Sequence, residues 1–379
     1  MAGDAIREVD LARASQFVNG SVARARALRY LGVVTLLATT ACGYRASYDQ
    51  PAPHEIDTTL LLIGDAGEPD PRSIGAPLDS LFAHASHDPS RTVILYLGDN
   101  VYPDGIPEDG AAEWTDARRR VHAQVRAVPH GAKAIFVPGN HDWANSGAFG
   151  LYALRHQERM IEALAEGRDV RLLPSNGCPG PVSVESGRLR LVLVDTQWWL
   201  HSYIVEDGNS NCPTNARTSM SALREQIVPA HDGQLVIVAG HHPMITGGEH
   251  GGYCGITGPF KRIAGRSQDI LSSKNREMRD SMRAAFAVQP PLIYAAGHEH
   301  NLQVLRGAPY ADYLLVSGAG SASRVACVVR MRESEFVSQS RVGFMRLDIL
   351  RGRGVLLRVY HFDRHGSGGE VYFRWLESR

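Results

Sequence analysis

Five short stretches of the chain set acids, amides or imidazoles beside a glycine: Gly64-Asp65, Gly98-Asp99-Asn100-Val101-Tyr102, Gly139-Asn140-His141-Asp142, Gly240-His241-His242 and Gly297-His298-Glu299-His300. Taken singly, each has a plain explanation. Gly-Asp is a common turn and helix cap, a single histidine is most often a satisfied surface side chain, and a single tyrosine a packed aromatic. Taken together, Asp65, Asp99, Tyr102, Asn140, His241, His298 and His300 form a set of carboxylate, phenol, amide and imidazole donors. Such donors suit iron, zinc or manganese rather than soft copper(I). Seven side chains are too many for one catalytic ion that keeps an open position. Two ions about 3.5–4 Å apart, sharing one carboxylate, account for the number, and such a pair binds phosphoryl oxygens and stabilises an in-line displacement. No Gly-rich phosphate loop, G-x-S-x-G elbow or dinucleotide fingerprint competes with this reading.

These clusters need a scaffold that brings them to one place, and the intervening sequence supplies it. Short β-branched or leucine-rich runs at 58–63, 92–97, 134–137, 189–194, 235–239 and 292–296 read as strands. Stretches at 114–126, 151–166, 219–228 and 273–288 read as helices. Strands alternating with helices imply βαβ units and a largely parallel sheet, and in such sheets ligands bind beyond the carboxyl ends of the strands. Five of the six strands run into one of the glycine-flanked clusters. After Asn301 the pattern changes, and 313–316, 344–348, 356–360 and 370–375 read as antiparallel strands separated by turns. No repeat and no Pro/Ser-rich linker divides the sequence, so one domain is expected over 56–379.

Composition narrows the partners. Forty Lys and Arg balance forty Asp and Glu, and this zero formal charge gives no long-range field for gathering nucleic acid. Near the N-terminus Arg24, Arg26 and Arg29 precede an apolar run at 31–41, which is too short to span a bilayer. Basic region, apolar core and small residues together describe an export signal. Cys42 after Thr39-Thr40-Ala41 is either a lipoprotein-type processing site or incidental to plain cleavage. The expected organisation is a leader at 1–42, a tether at 43–55 and the domain thereafter. Export places Cys178, Cys212, Cys254 and Cys327 in an oxidising compartment. Three pairings are open to them, and Cys212 with Cys254 is favoured, both lying in Gly- or Asn-rich loops beside the expected active face.

The ordered motifs Gly-Asp, Gly-Asp-x-x-Tyr, Gly-Asn-His, Val-x-x-His and Gly-His-x-His resemble those of the calcineurin-like metallophosphoesterases. Tyr102, three residues after Asp99, is similar to the purple acid phosphatase branch. The stretches 98–102, 239–241, 249–251 and 297–303 resemble the small tartrate-resistant acid phosphatases. The resemblance covers about 61–303. It implies a four-layer α-β-β-α sandwich, two mixed sheets flanked by helices. It also implies a binuclear metal centre, with Fe(III) held by Asp65, Asp99, Tyr102 and His300. Asp99 would bridge to a divalent ion (Fe, Zn or Mn) held by Asn140, His241 and His298. The implied activity is two-metal hydrolysis of phosphate monoesters by a metal-bound hydroxide, with His141 and His250 binding phosphate and assisting the leaving group. The alternatives are a phosphodiesterase or nucleotidase of the same fold, or a non-catalytic surface lipoprotein. A phosphorylated small molecule or phosphoprotein is the expected substrate, with loops 198–215 and 247–265 as its rim. The expected protein is a monomer, secreted, periplasmic or on the outer surface, with a possible lipid anchor at Cys42.

Overall fold

Strand β1 (Ile56–Ile63) shows why the chain folds in layers: Leu60 and Leu62 point to one side, Leu61 and Ile63 to the other, and all four are fully buried. A strand covered on both faces reads as a continuous apolar run, as parallel strands do. The computed structural model describes residues 50–69, 76–203, 212, 214–254, 268–352, 354–363 and 365–377. The expected leader, Cys42 and residues 43–49 of the tether lie outside them.

In the first sheet β1, β2 (Thr92–Tyr96), β3 (Lys133–Phe136) and β4 (Asp169–Leu172) run parallel. They are joined through helices α1 (Ala76–Ala85), α2 (Trp114–Arg126) and α3 (Gly150–Leu164). In the second sheet β5 (Val182–Ser186) leads into the parallel strands β6 (Leu189–Leu193), β7 (Leu235–Ala239) and β8 (Ile293–Ala296). Helices α4 (Thr196–Leu200), α5 (Ala216–Gln226) and α6 (Ser273–Phe286) lie between these strands in sequence. Ser272 caps α6, its side chain accepting from the Asn275 amide at 3.2 Å. The remaining strands are β9 (Leu302–Arg306), β10 (Tyr313–Ser317), β11 (Ser334–Ser338), β12 (Val342–Leu350), β13 (Val355–Phe362) and β14 (Gly368–Leu376). The sheet orders are β14-β13-β12-β1-β2-β3-β4 and β11-β9-β10-β8-β7-β6-β5.

Both sheets are mixed. The core between them is built from Leu60, Leu62, Val93 and Leu95 of one sheet against Leu191, Ile237, Ile293 and Leu315 of the other. Leu81 of α1, Val121 of α2 and Ile161 of α3 cover the outer face of the first sheet. Leu223 of α5 and Met278, Met282 and Phe286 of α6 cover the second. The result is the α-β-β-α sandwich the sequence implied.

Two expectations need correction. The segment after Asn301 is not uniformly antiparallel: β10 pairs antiparallel with β9 but parallel with β8. The cysteines pair as Cys178–Cys212 and Cys254–Cys327, with Cα separations of 5.4 and 6.2 Å, not as Cys212–Cys254. The reason is topological. The loop carrying Cys254 is laced to the segment after β10, where the Val329 amide donates to the Gly247 carbonyl at 2.9 Å.

Candidate metal centre

Three of the glycine-flanked clusters leave β1, β2 and β3 of the first sheet, and two leave β7 and β8 of the second. The two sheets are bonded together at this end. The Gly64 amide donates to the Ser317 carbonyl, and Gly320 donates to Gly64, at 2.6 and 3.0 Å. Each cluster turns sharply. Asp65, Asp99 and His298 have φ of 57°, 54° and 68°, the left-handed region that ordinary residues avoid. Such strain persists where surrounding structure over-determines it, typically at functional sites. Gly98, at φ 91°, leaves no room for a Cβ, which would strike the His241 ring.

The side chains converge in two groups joined by one carboxylate. In the first, Tyr102 Oη lies 3.1 Å from Asp65 Oδ1, 3.2 Å from Asp99 Oδ2 and 3.2 Å from His300 Nε2. His300 Nε2 is also 3.3 Å from Asp65 Oδ1. In the second, Asn140 Oδ1 lies 3.1 Å from His241 Nε2 and 3.0 Å from His298 Nδ1. Asp99 reaches both groups, since its other oxygen, Oδ1, is 3.4 Å from His241 Nε2. All seven expected ligands are therefore adjacent, and Asp65, Asp99, Asn140, His241 and His298 are essentially inaccessible to solvent.

Hydrogen bonding alone does not satisfy these groups. His241 Nδ1 must donate to the Leu97 carbonyl at 2.8 Å. In the neutral ring this leaves Nε2 as a bare lone pair aimed at the amide oxygen of Asn140, which is itself an acceptor. The single proton of Tyr102 faces two carboxylate oxygens. Burial, and then Asp65 and Asp99, push that hydroxyl well above its usual range. Burial alone would lower His241, but Asp99 outweighs it and draws the imidazole up to about 9. A field that attracts a proton so strongly attracts a cation for the same reason. Ligand atoms of Asp65, Asp99 and His241 lie within 4.8 Å of one another, and the donor set fits two cations.

The two histidines expected to act on substrate flank this cluster on its open side. His141 packs its ring 4.4 Å from that of Tyr102, and its Nδ1 donates to the Pro103 carbonyl. This turns Nε2 toward the cluster, 3.9 Å from Asp99 Oδ2. The His250 ring lies 4.0 Å from the His298 ring, with Nδ1 held by Asp269 Oδ1 at 2.8 Å. His242 is fully buried. Thr196 Oγ1 accepts from the His241 and His242 amides and donates its own proton to His242 Nδ1 at 2.9 Å.

Several supporting residues carried no role in the sequence reading. Asp142 receives the amides of Asn100, Val101 and Gly139 and the Asn100 side chain, all within 3.2 Å, and so clamps the β2 and β3 loops together. Glu299 is buried between two ligand histidines. Its Oε1 accepts from Thr246 Oγ1 and the His250 amide, each at 3.0 Å, which fixes the loop carrying His250. Glu299 offered no signal in the sequence, standing in a sharp turn where strand parity does not apply. Asp269 offered none, lying 19 residues from His250. Trp198 and Trp199, expected in a loop, belong to helix α4, whose cap is Asp195. Parts of both expected rim loops lie outside the described residues.

Fold and site define a binuclear-type phosphoesterase architecture, and comparison with known proteins gives its family. The sequence model of the calcineurin-like phosphoesterase family matches residues 58–302, so the chain belongs to that family of phosphoric ester hydrolases. It is 33% identical over 106 residues to tartrate-resistant acid phosphatase type 5 of Rattus norvegicus and 31% identical over 106 residues to that of Mus musculus. Each match covers 28% of this chain and 25% of the relative, so only a quarter of those enzymes' length is spanned. Among solved structures, GAP50, described as the anchor in the inner membrane complex of Plasmodium, superposes with a TM-score of 0.53 at 16% identity. That likeness covers 86% of this chain and 90% of GAP50, and concerns the fold.

Proposed function

We propose that the protein is an exported acid phosphatase that hydrolyses phosphate monoesters at a mixed-valence pair of cations, Fe(III) and a divalent Fe, Zn or Mn. The observation that carries this reading is the position of Asp99, one carboxylate oxygen against the Tyr102 group and the other against the His241 group. Asp65, Asp99, Tyr102 and His300 would hold the ferric ion, and Asp99, Asn140, His241 and His298 the divalent one. A phenolate beside two carboxylates favours the trivalent state. When bound, the pair supplies positive charge to phosphoryl oxygens and acidifies water.

The chain's own groups do the rest. His141 and His250 bind phosphate oxygens from the open side, each oriented by a hydrogen bond to its Nδ1. Each can deliver a proton to the leaving oxygen. The two disulfides support an oxidising compartment as the working place. Among the described residues no helix is long and apolar enough to cross a membrane.

The test is turnover of a simple monoester, a diester and a nucleotide by metal-replete protein, beside Asp99→Asn. Monoester hydrolysis peaking at acidic pH and lost in Asp99→Asn supports the reading. Preference for the diester or nucleotide gives the active site a different substrate, and equal background rates in both proteins point to a scaffold without turnover.

A further inference from the structure

Arg324 lies outside every motif the sequence reading used, in the single 3₁₀ turn Ala322–Arg324 after β10. Its guanidinium carbon stands 3.8 Å from the centroid of the Tyr102 ring. That places a permanent cation over the face of the phenol ring of the Tyr102 group. The position is enforced. Arg324 Nε donates to Glu68 Oε2 at 2.7 Å, and the same oxygen receives Ser323 Oγ at 3.0 Å. Ser321 Oγ donates to the Asp65 carbonyl at 2.6 Å and accepts from the Glu68 amide at 3.1 Å. The turn is thus riveted to the loop that carries Asp65. Arg120 faces Glu68 from α2 at 3.7 Å and is itself paired with Asp116 at 2.6 Å. Glu68 is therefore shared between two arginines, and Arg324 is the charge in contact with the ring.

A cation on the face of an aromatic ring is attracted to its π-electrons. The attraction grows when the ring is a phenolate, whose charge spreads into those electrons. We propose that Arg324 is a positioning residue for the metal centre, its charge on the face of the Tyr102 ring lowering the energy of the highest filled orbital of the metal-bound phenolate. The inference rests on the ferric reading above and adds to it the residue that sets the electronic character of the tyrosine. Electron transfer from phenolate to Fe(III) on light absorption starts from that orbital, so Arg324 holds the visible band at shorter wavelength than a bare tyrosinate would give. It also draws electron density from the oxygen and so makes the ferric ion a stronger acid.

The experiment is the visible spectrum of purified iron-loaded protein as wild type, Arg324→Gln and Arg324→Lys, with iron measured in each. Arg324→Gln should remain coloured, with its band moved several nanometres to longer wavelength. Arg324→Lys should stay closer to the wild-type position. A coloured Arg324→Gln with an unmoved band overturns the inference and leaves the ferric reading standing. Equal displacement in Gln and Lys variants also overturns it, since shape rather than charge would then be responsible. A colourless, iron-free wild type overturns both, because no ferric phenolate would exist for Arg324 to act upon.

Discussion

At the scale of single residues, the site is a set of groups that cannot satisfy one another. Tyr102 has one proton for two carboxylates, and His241 Nε2 crowds both an amide oxygen and the Asp99 carboxylate. Tyr102→Phe should fold and retain the Asn140, His241 and His298 group, but lose the visible colour entirely, as absorption spectroscopy would show. Asp195 makes a different prediction. Burial pushes its carboxyl from the ordinary 3.8 up to about 7, against the Trp198 amide and Trp143 indole that it accepts from at 3.0 and 2.8 Å. Between those values the folded protein binds a proton that the unfolded chain does not. Stability contributed by this group is therefore gained on acidification through the window and lost as pH rises. Urea midpoints measured from about pH 4 to 7 should rise toward acid in wild type and be flatter in Asp195→Asn; parallel profiles would exclude Asp195 as the source. The seven candidate ligands were legible because all fall within four residues of a glycine at a strand end. Asp195, Glu299, Asp269 and Arg324 were not, because their importance arises from contacts that no local pattern records.

At the scale of elements, the turns after the strands do the positioning. Gly98→Ala would add a Cβ against the His241 ring at a backbone φ of 91°. Disturbing a ligand's support typically costs about 10–100-fold in metal affinity. Metal titration should show that loss for Gly98→Ala, with the circular dichroism of the fold unchanged. The Cys254–Cys327 disulfide ties the loop bearing His250 to a segment whose Ala326 amide donates to the His300 carbonyl at 2.8 Å. Closing a loop of 73 residues stabilises a chain by about 4 kcal/mol in the entropy model. The Cys254→Ser, Cys327→Ser double variant should unfold at lower urea concentration and raise KM more than it lowers kcat; an unchanged KM would mean that the loop holds itself. The helix at 114–126 and the strand at 235–239 were read to the residue, since both are strongly patterned. Strands β4, β5, β9 and β11 were missed. β4 and β5 carry polar or exposed residues in alternation, and β9 begins inside the motif Asn301-Leu302-Gln303, where chemistry masked the strand.

At the scale of the molecule, two sheets pack face to face so that loops at one end of both share one pocket. The cluster from β1, β2 and β3 supplies Asp65, Asp99, Tyr102 and Asn140, while β7 and β8 supply the three histidines. Neither sheet alone holds a complete ion site, because Asn140 needs His241 and His298, and Asp65 and Tyr102 need His300. Polar to apolar exchange at the contact between sheets, such as Ser317→Val, removes the hydroxyl that donates to the Leu62 carbonyl at 2.7 Å. It should cost on the order of 1 kcal/mol in stability, read by urea denaturation, while leaving the loops that carry the ligands in place. The βαβ units were legible from the alternation of strands and helices, and the four-layer sandwich from the family resemblance. The parallel pairing of β10 with β8 was not, since β10 lies among antiparallel neighbours in sequence.

The most direct test is a crystal structure of the metal-loaded protein, phased or mapped with anomalous scattering at the iron edge and at the edge of the second metal. Two peaks should flank the Asp99 carboxylate, about 3.5–4 Å apart, with the iron peak on the Tyr102 side. A single peak, or ions held elsewhere with Asp99 bonded to neither, would contradict the binuclear centre and the hydrolase built on it.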